Sequence, residues 1–330
     1  MPASYIPLSR PILICLITNS MKKLISIVIP AYNEQDNVDE LARRLQGVFA
    51  ANPAYDFEVV IVENGSMDST YEKLLAVHQQ DNRFKILQLA RNFRMDGGVT
   101  AGLNYAKGDA AVIMTADLQD PPELITEFIK KWEEGYENVY GIVTKRIGTN
   151  AIRRFNSQLF YKVANTLTGG MIPRNVSDFR LVDRKVYETI NSIHERNRFI
   201  RGLFAWVGYK SIGIEHERAE RFAGVSGAHT FKVIELALKG IFAHSYVPLK
   251  LITLTGLTVS ILSFLLLAWT VTKAVLWGVP FEGYGTIMTV MLLMFGILFT
   301  MLGIVSEYVG LIYEEVKQRP NFIVRNKVGM

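Results

Sequence analysis

The chain has 330 residues, a formal net charge of +5 and a single cysteine, Cys15. One cysteine excludes an intrachain disulfide framework and a cysteine metal cluster, and the lack of a basic run interleaved with aromatics argues against a nucleic-acid partner. Hydrophobic residues make up 49% of the chain, high for a purely soluble protein, and the excess gathers near the C-terminus.

In chain order, residues 1–21 are expected to be a loose extension. Pro11–Thr18 is apolar but too short to cross a bilayer, and it lacks the basic start of a signal peptide. Leu24–Pro30 (LISIVIP) is a β-branched apolar run of the kind buried on both faces of a parallel sheet. Val38, Leu41, Leu45 and Val48 have helical spacing and predict a helix over 37–50. Phe57–Glu63 predicts a second strand, 68–78 a helix, Phe84–Leu89 a third strand, 97–106 a helix and Ala110–Thr115 a fourth strand. This alternation predicts an α/β domain over 22–230 with a Rossmann-like, mostly parallel sheet covered by helices on both faces. Ligands bind such sheets beyond the carboxyl ends of the strands. There the sequence places Tyr32-Asn33-Glu34, Glu63-Asn64-Gly65-Ser66 and Asp117-Leu118-Gln119-Asp120. No G-x-G-x-x-G follows the first strand and no G-x-x-x-x-G-K-[ST] occurs, which argues against a dinucleotide-dependent dehydrogenase and a P-loop NTPase.

Residues 151–169 and 231–247 have the pattern of amphipathic helices suited to a membrane interface. Residues 251–272 and 283–306 carry no charged side chain. At about 1.5 Å per residue each is long enough to cross a hydrocarbon core of about 30 Å. A hairpin of two transmembrane helices, about 251–272 and 284–306, is therefore expected within 248–315. Lys232, Lys239 and Lys250 precede it, and Lys317, Arg319, Arg325 and Lys327 follow. Basic flanks stay cytoplasmic, which puts the large domain and both termini on the cytoplasmic face of the inner (plasma) membrane and leaves 316–330 as a cytoplasmic tail. Small residues at Gly256, Gly296 and Gly303 would let helices approach, and a homo-oligomer is expected.

Four segments in order, Ile27–Glu34 (IVIPAYNE), Glu63–Thr70 (ENGSMDST), Thr115–Glu123 (TADLQDPPE) and Val176–Leu181 (VSDFRL), resemble the family 2 glycosyltransferases of GT-A fold. With the two spans, the chain is similar to the polyprenyl-phosphate glycosyltransferases, such as dolichol-phosphate mannose synthase and the bacterial enzymes that load glucose onto undecaprenyl phosphate. The resemblance covers about residues 22–320. It implies that Pro30, Tyr32 and Glu34 hold the base and ribose of a sugar nucleotide, with Glu63 and Asn64 beside them. Glu63 stands where the family usually carries Asp.

Asp117 and Gln119 come at the end of an apolar strand. A hard divalent cation, Mg²⁺ or Mn²⁺, takes carboxylate and diphosphate oxygens and would neutralise a departing nucleoside diphosphate. The family motif there is D-x-D, and Thr115 occupies its first position. By resemblance Asp178 and Arg180 are catalytic. The acceptor, a phosphate monoester with a second pKa near about 6, is largely dianionic at neutral pH, so Asp178 is expected to orient the site rather than to act as a base. Guanidinium groups match phosphate oxygens, and Arg146, Arg153, Arg180, Arg218 and Arg221 are candidates for the lipid phosphate. Arg221–Ser226 resembles the family's mobile loop, so Ser226 joins them; Gly227-Ala228-His229 departs from the basic and aromatic residues usual after it. The expected reaction is inverting transfer of glucose from UDP-glucose to undecaprenyl or another polyprenyl phosphate. GDP-mannose or a UDP-aminopentose as donor, or a catalytically weak membrane scaffold, are the alternatives. A processive polysaccharide synthase would need more spans and a Q-x-x-R-W motif, and neither is present.

Overall fold

The computed structural model describes residues 22–146, 176–196, 198–218, 247–277 and 283–330. Strands β1 (Leu24–Ala31), β2 (Asp56–Glu63), β3 (Phe84–Leu89) and β4 (Ala110–Ile113) alternate with helices α1 (Val38–Ala51), α2 (Thr70–Gln80) and α3 (Arg94–Tyr105). These are the elements expected from the apolar runs, within a few residues. After a 3-10 turn at Pro122–Leu124 come α4 (Ile125–Glu133), β5 (Asn138–Arg146), β6 (Val176–Asp183), α5 (Arg184–Ser192), α6 (Ile200–Trp206) and β7 (Ser211–Arg218). Two long helices follow, α7 (Val247–Trp277) and α8 (Tyr284–Lys317), and then β8 (Val324–Val328). The expected extension over 1–21 and the amphipathic stretches 151–169 and 231–247, all but Val247 of the latter, lie outside the described residues.

All eight strands form one sheet in the order β7-β5-β6-β4-β1-β2-β3-β8. β1 pairs parallel with β2 and β4, β2 with β3, and β5 with β7; β6 runs antiparallel between β4 and β5, and β8 antiparallel on β3. Side chains alternate across a strand, and β1 shows the consequence. Ile25, Ile27 and Ile29 pack with Leu41, Leu45 and Phe128 on one face, whereas Val28 packs with Val99, Leu103, Val186 and Phe204 on the other. α1 reaches the first face through Val38, Leu41, Leu45, Val48 and Phe49, all buried, at the spacing of a one-sided apolar helix. α3 lies against the second face closely enough to require glycine: a Cβ on Gly102 would come within 2.2 Å of Val28 Cγ1.

α7 and α8 have 31 and 34 residues. Many of their described apolar side chains are exposed, among them Leu254, Leu257, Trp269, Phe299 and Ile312. Among the described residues one stretch, Met294–Lys317, is long and apolar enough to cross a membrane, where two were expected. α8 itself runs beyond the expected 284–306, until Gln318 takes a left-handed φ of 49° and Pro320 follows. A Cβ on Gly256 would come within 3.0 Å of Met301 Cε of α8, so the missing side chain leaves room for contact within the pair of helices.

Residues 316–330, expected as a tail, return to the domain. Ala90 N–H donates to the Ile323 carbonyl at 2.9 Å, β8 pairs with Ile86–Leu89 of β3, and Phe322, Val324 and Met330 pack on the second core face. Arg196 N–H donates to Glu315 Oε2 at 2.9 Å and its guanidinium to the Arg319 carbonyl at 2.7 Å. The end of α8 is thereby fixed to the segment that leads into α6.

Candidate active site

The carboxyl ends of β1, β2 and β4 converge on one edge of the sheet. The loops after β1 and β2 are laced together: Asn33 N–H donates to Ser66 Oγ (3.1 Å), Met67 N–H to Asn33 Oδ1 (2.9 Å) and Glu34 N–H to Thr70 Oγ1 (2.9 Å). Tyr32 remains 37% exposed, an accessible aromatic face beside Glu34. Glu63 and Asn64 are buried. Glu63 Oε1 accepts from Ser66 N–H at 2.5 Å. Asn64 accepts from Phe93 N–H and donates to the Arg94 carbonyl, both at 2.9 Å. These two side chains therefore shape the loops that flank Tyr32 and Glu34. Gly65 is required there: its φ is +73°, and a Cβ would meet the Arg91 backbone at 2.7 Å.

Asp117 ends the β4 segment, buried but for 7%. Its Oδ1 accepts from Thr115 Oγ1 at 2.7 Å and from Gln119 N–H at 3.4 Å. Between Asp117 and Gln119, the buried Leu118 has a φ of 55°, a left-handed conformation that costs a side chain of this kind about 1–2 kcal/mol. Asn33 and Arg94 share this conformation, with φ of 55° and 63°. Strained backbone of this sort gathers at functional sites; Asn33 and Leu118 lie in the loops after β1 and β4, and Arg94 opens α3 after β3.

The next residue, Asp120, is 1% exposed and knots the Asp117 loop to two strands. It accepts from Ser177 Oγ (2.9 Å) of β6, from His216 Nε2 (2.8 Å) of β7, and from Arg218 Nε and Nη2 (3.1 and 2.7 Å). Burial would raise its pKa, but His216, Arg218 and Ser177 together hold it below the usual carboxylate range. Arg218, a candidate phosphate ligand from the sequence, is thus engaged by Asp120.

Antiparallel pairing of β6 on β4 sets Arg180 opposite Ile113 and carries Ser177 and Asp178 past the end of β4, alongside the Thr115–Asp117 segment. Arg180 is 3% exposed. Its guanidinium lies 4.4 Å from the centre of the Phe204 ring and donates to the Ser177 carbonyl at 3.2 Å. Burial, with Arg201 nearby, pulls it down to about 10, against the attraction of Asp178; it stays charged at neutral pH. Asp178 is one-third exposed and ion-paired with Arg201 of α6. Arg201 Nε donates to Oδ1 at 2.9 Å and Nη2 to Oδ2 at 2.6 Å. Burial pushes the Asp178 pKa up, but Arg201, with Arg180 and Arg218, outweighs it and holds the carboxyl below its ordinary value. Asp96 of α3 shares this environment. Its Oδ1 accepts from Ile200 N–H at 3.1 Å, and burial, opposed by that bond and augmented by Asp178, raises it to about 6. Asp96, Asp178, Arg180, Arg201 and Phe204 line a cavity of about 20 Å³.

The structure thus brings Pro30, Tyr32, Glu34, Asp117, Gln119, Asp178 and Arg180 to one edge of the sheet. Arg146 lies on β5 with its backbone level with Arg218; Arg153, Arg221 and Ser226 lie outside the described residues. The sequence places Asp120 in the strand-end cluster Asp117–Asp120 without a role of its own, and it does not single out Arg201, Asp96 or His216. Asp120 could have been found as the second acid of the Asp117 motif; the other three carry no local signal.

Among the described residues no group of three His, Cys, Asp or Glu side chains could hold a metal. A cation here would rest on Asp117 and Gln119 and take its remaining oxygens from a bound diphosphate, which suits a hard ion.

A sheet of this topology, with a strand-end carboxylate loop and a facing acid–arginine strand, defines a GT-A transferase domain. The chain belongs to glycosyl transferase family 2, whose model matches residues 26–190, and residues 247–312 match the GtrB C-terminal hairpin. It is 41% identical to an uncharacterized glycosyltransferase of Synechocystis sp., over 93% of this chain and 96% of that one. It is 36% identical to the bactoprenol glucosyl transferase of Shigella phage SfV, over 92% and 98% of the two chains. Among solved structures it is similar to the mannosyltransferase PcManGT from Pyrobaculum calidifontis in complex with GDP-Man and Mn²⁺, at a TM-score of 0.45 and 17% identity, covering 68% of this chain and 64% of that one.

Proposed function

We propose that the protein transfers glucose from UDP-glucose, with inversion, to undecaprenyl or another polyprenyl phosphate at the cytoplasmic face of the membrane. The observation that carries this reading is the joining, in one chain, of a transferase edge to two long helices whose described apolar side chains are largely exposed. A soluble domain buries such faces; a lipid acceptor gives them a reason. The similarity to bactoprenol glucosyl transferases supports glucose as the sugar and bactoprenol phosphate as the acceptor class.

In this reading Tyr32 and Glu34 receive the base and ribose, and the diphosphate lies over Asp117 and Gln119. A divalent cation, when bound there, neutralises charge on the leaving nucleoside diphosphate. A phosphate oxygen of the lipid attacks C1 from the side opposite the leaving group; the C1–O bond to the diphosphate breaks and its electron pair leaves with UDP. The attacking oxygen is anionic near neutral pH, so no proton has to be removed. Both Asp178 oxygens accept from Arg201, which makes Asp178 a poor base and a good fixed anion. Arg180, buried and charged, supplies positive potential at the acceptor side. Arg146, Arg153, Arg221 and Ser226 are further ligands for the lipid phosphate.

The test is transfer of label from a panel of UDP-glucose, GDP-mannose and a UDP-aminopentose into undecaprenyl phosphate. The expected result is an EDTA-sensitive glucosyl lipid from UDP-glucose alone. Failure with every donor would sink the enzymatic reading; product from another donor would reassign the sugar.

A further inference from the structure

We propose that Arg201 is a positioning residue for the transfer reaction: presented by α6, it fixes the Asp178 carboxylate in one orientation and keeps it an anion at the acceptor side of the cleft. This rests on the transfer reading above and assigns a part to a residue outside the four sequence motifs.

Three observations converge on Arg201. First, the pair is bidentate, with Nε–Oδ1 at 2.9 Å and Nη2–Oδ2 at 2.6 Å. A fork of this kind fixes the plane of a carboxylate as well as its distance, which a lysine ammonium does not do. Second, α6 has its own seat. Asp96 of α3 accepts from Ile200 N–H at 3.1 Å, and Ile200, Leu203 and Phe204 are buried in the second core face. The helix that carries Arg201 is therefore held by groups other than Asp178. Third, Arg201 and Asp178 both line the small cavity with Asp96, Arg180 and Phe204, and both are partly exposed, at 25% and 33%. The ion pair sits at the border between core and cleft, where loss of one partner frees the other to turn.

The charged groups facing Asp178 are Arg180 on its own strand, Arg201 on α6, Arg218 on β7 and, with the opposite effect, Asp96 on α3. Arg218 is committed to Asp120, and Arg180 stacks on Phe204. Among the contacts described here, Arg201 is the group that meets both Asp178 oxygens. Without it, Arg180 and Arg218 alone oppose the effect of burial, and the Asp178 pKa rises.

The experiment uses the full chain in lipid with undecaprenyl phosphate and labelled UDP-glucose, and compares wild type, Arg201→Lys and Arg201→Met. We expect Arg201→Met to lower kcat about a hundredfold, the order reached when a reacting geometry slips by about an ångström. KM for UDP-glucose stays at the wild-type value, because the base and ribose contacts lie elsewhere. The acid limb of its pH–rate profile moves to higher pH, since activity now falls as an unpaired Asp178 protonates. Arg201→Lys restores the acid limb, by charge, without restoring kcat, for want of the fork. A kcat and acid limb equal to wild type in Arg201→Met, or a raised KM for the nucleotide as the sole change, would overturn the proposal. If wild type transfers from no donor, the transfer reading fails on its own. The assignment of Arg201 is then decided by an isotope-edited NMR titration of the aspartate carboxyls, with the Asp178 signal identified by Asp178→Asn. An Asp178 signal that titrates alike in wild type and Arg201→Met would refute it; an upward shift in Arg201→Met upholds it.

Discussion

Asp120 meets Ser177, His216 and Arg218 with almost no water in reach, and removing its charge leaves Arg218 beside a neutral amide. Loss of one member of a buried ion pair costs on the order of 3 kcal/mol, so Asp120→Asn is expected to lower stability by about that amount in thermal unfolding. Glu58 offers a second measurement at this scale. It is 3% exposed, and burial raises its pKa while Lys85, Ser26 and the Lys107 N–H more than reverse the effect, so the net shift is downward. A carboxyl with a lowered folded pKa contributes stability above its unfolded value and loses it as pH falls through the folded one. The stability gap between wild type and Glu58→Gln should therefore be full at neutral pH and close in acid, below the ordinary glutamate range, when unfolding is followed against pH. The residues that sequence alone made visible, Asp117, Gln119, Asp178 and Tyr32, sit in short motifs at strand ends. Arg201 stands 23 positions from Asp178 and Asp120 is 98 from Arg218; such pairings come from strand order, which no local spacing reveals.

The elements divide in the same way. β1 to β4 were legible because strands buried on both faces are continuous apolar runs. β8, Val324–Val328, has three exposed residues between two half-buried valines. Polar composition of this kind is how an edge strand avoids pairing with strangers, and in sequence it reads as tail. β5 to β7 include antiparallel pairs and an outer strand, with register shifts at Tyr140/Ile142 and Val143/Lys145, and their pattern is correspondingly weak. α3 was found, but its closeness to the sheet was not. Gly102→Ala would put a methyl 2.2 Å from Val28 Cγ1 and 3.1 Å from Val62 Cγ2. Overpacking of this sort costs about 1–3 kcal/mol; the expected outcome is a lower unfolding midpoint, with Gly47→Ala on α1, which meets nothing within 4 Å, as the tolerant control.

For the whole molecule, the charge-free runs and basic flanks propose a two-helix hairpin with the domain and the end of α8 on one side. A cysteine placed at Gly283 in a Cys15→Ser background should react with a membrane-impermeant maleimide from the outer side, and one at Asn326 from the cytoplasmic side alone. Labelling of both from the cytoplasmic side would refute a double crossing. Removing residues 319–330 should lower the stability of the catalytic domain itself and promote its association through β3, measured by unfolding and light scattering, because β8 covers that edge. The position of β8 also sets an order of events during synthesis. Chains emerge from the ribosome N-terminus first, so β1 to β7 are made before α7 and α8, and β8 after them. The sheet has to wait for its eighth strand until both long helices have left the ribosome, which makes a finished catalytic domain a sign that its hairpin has already been made.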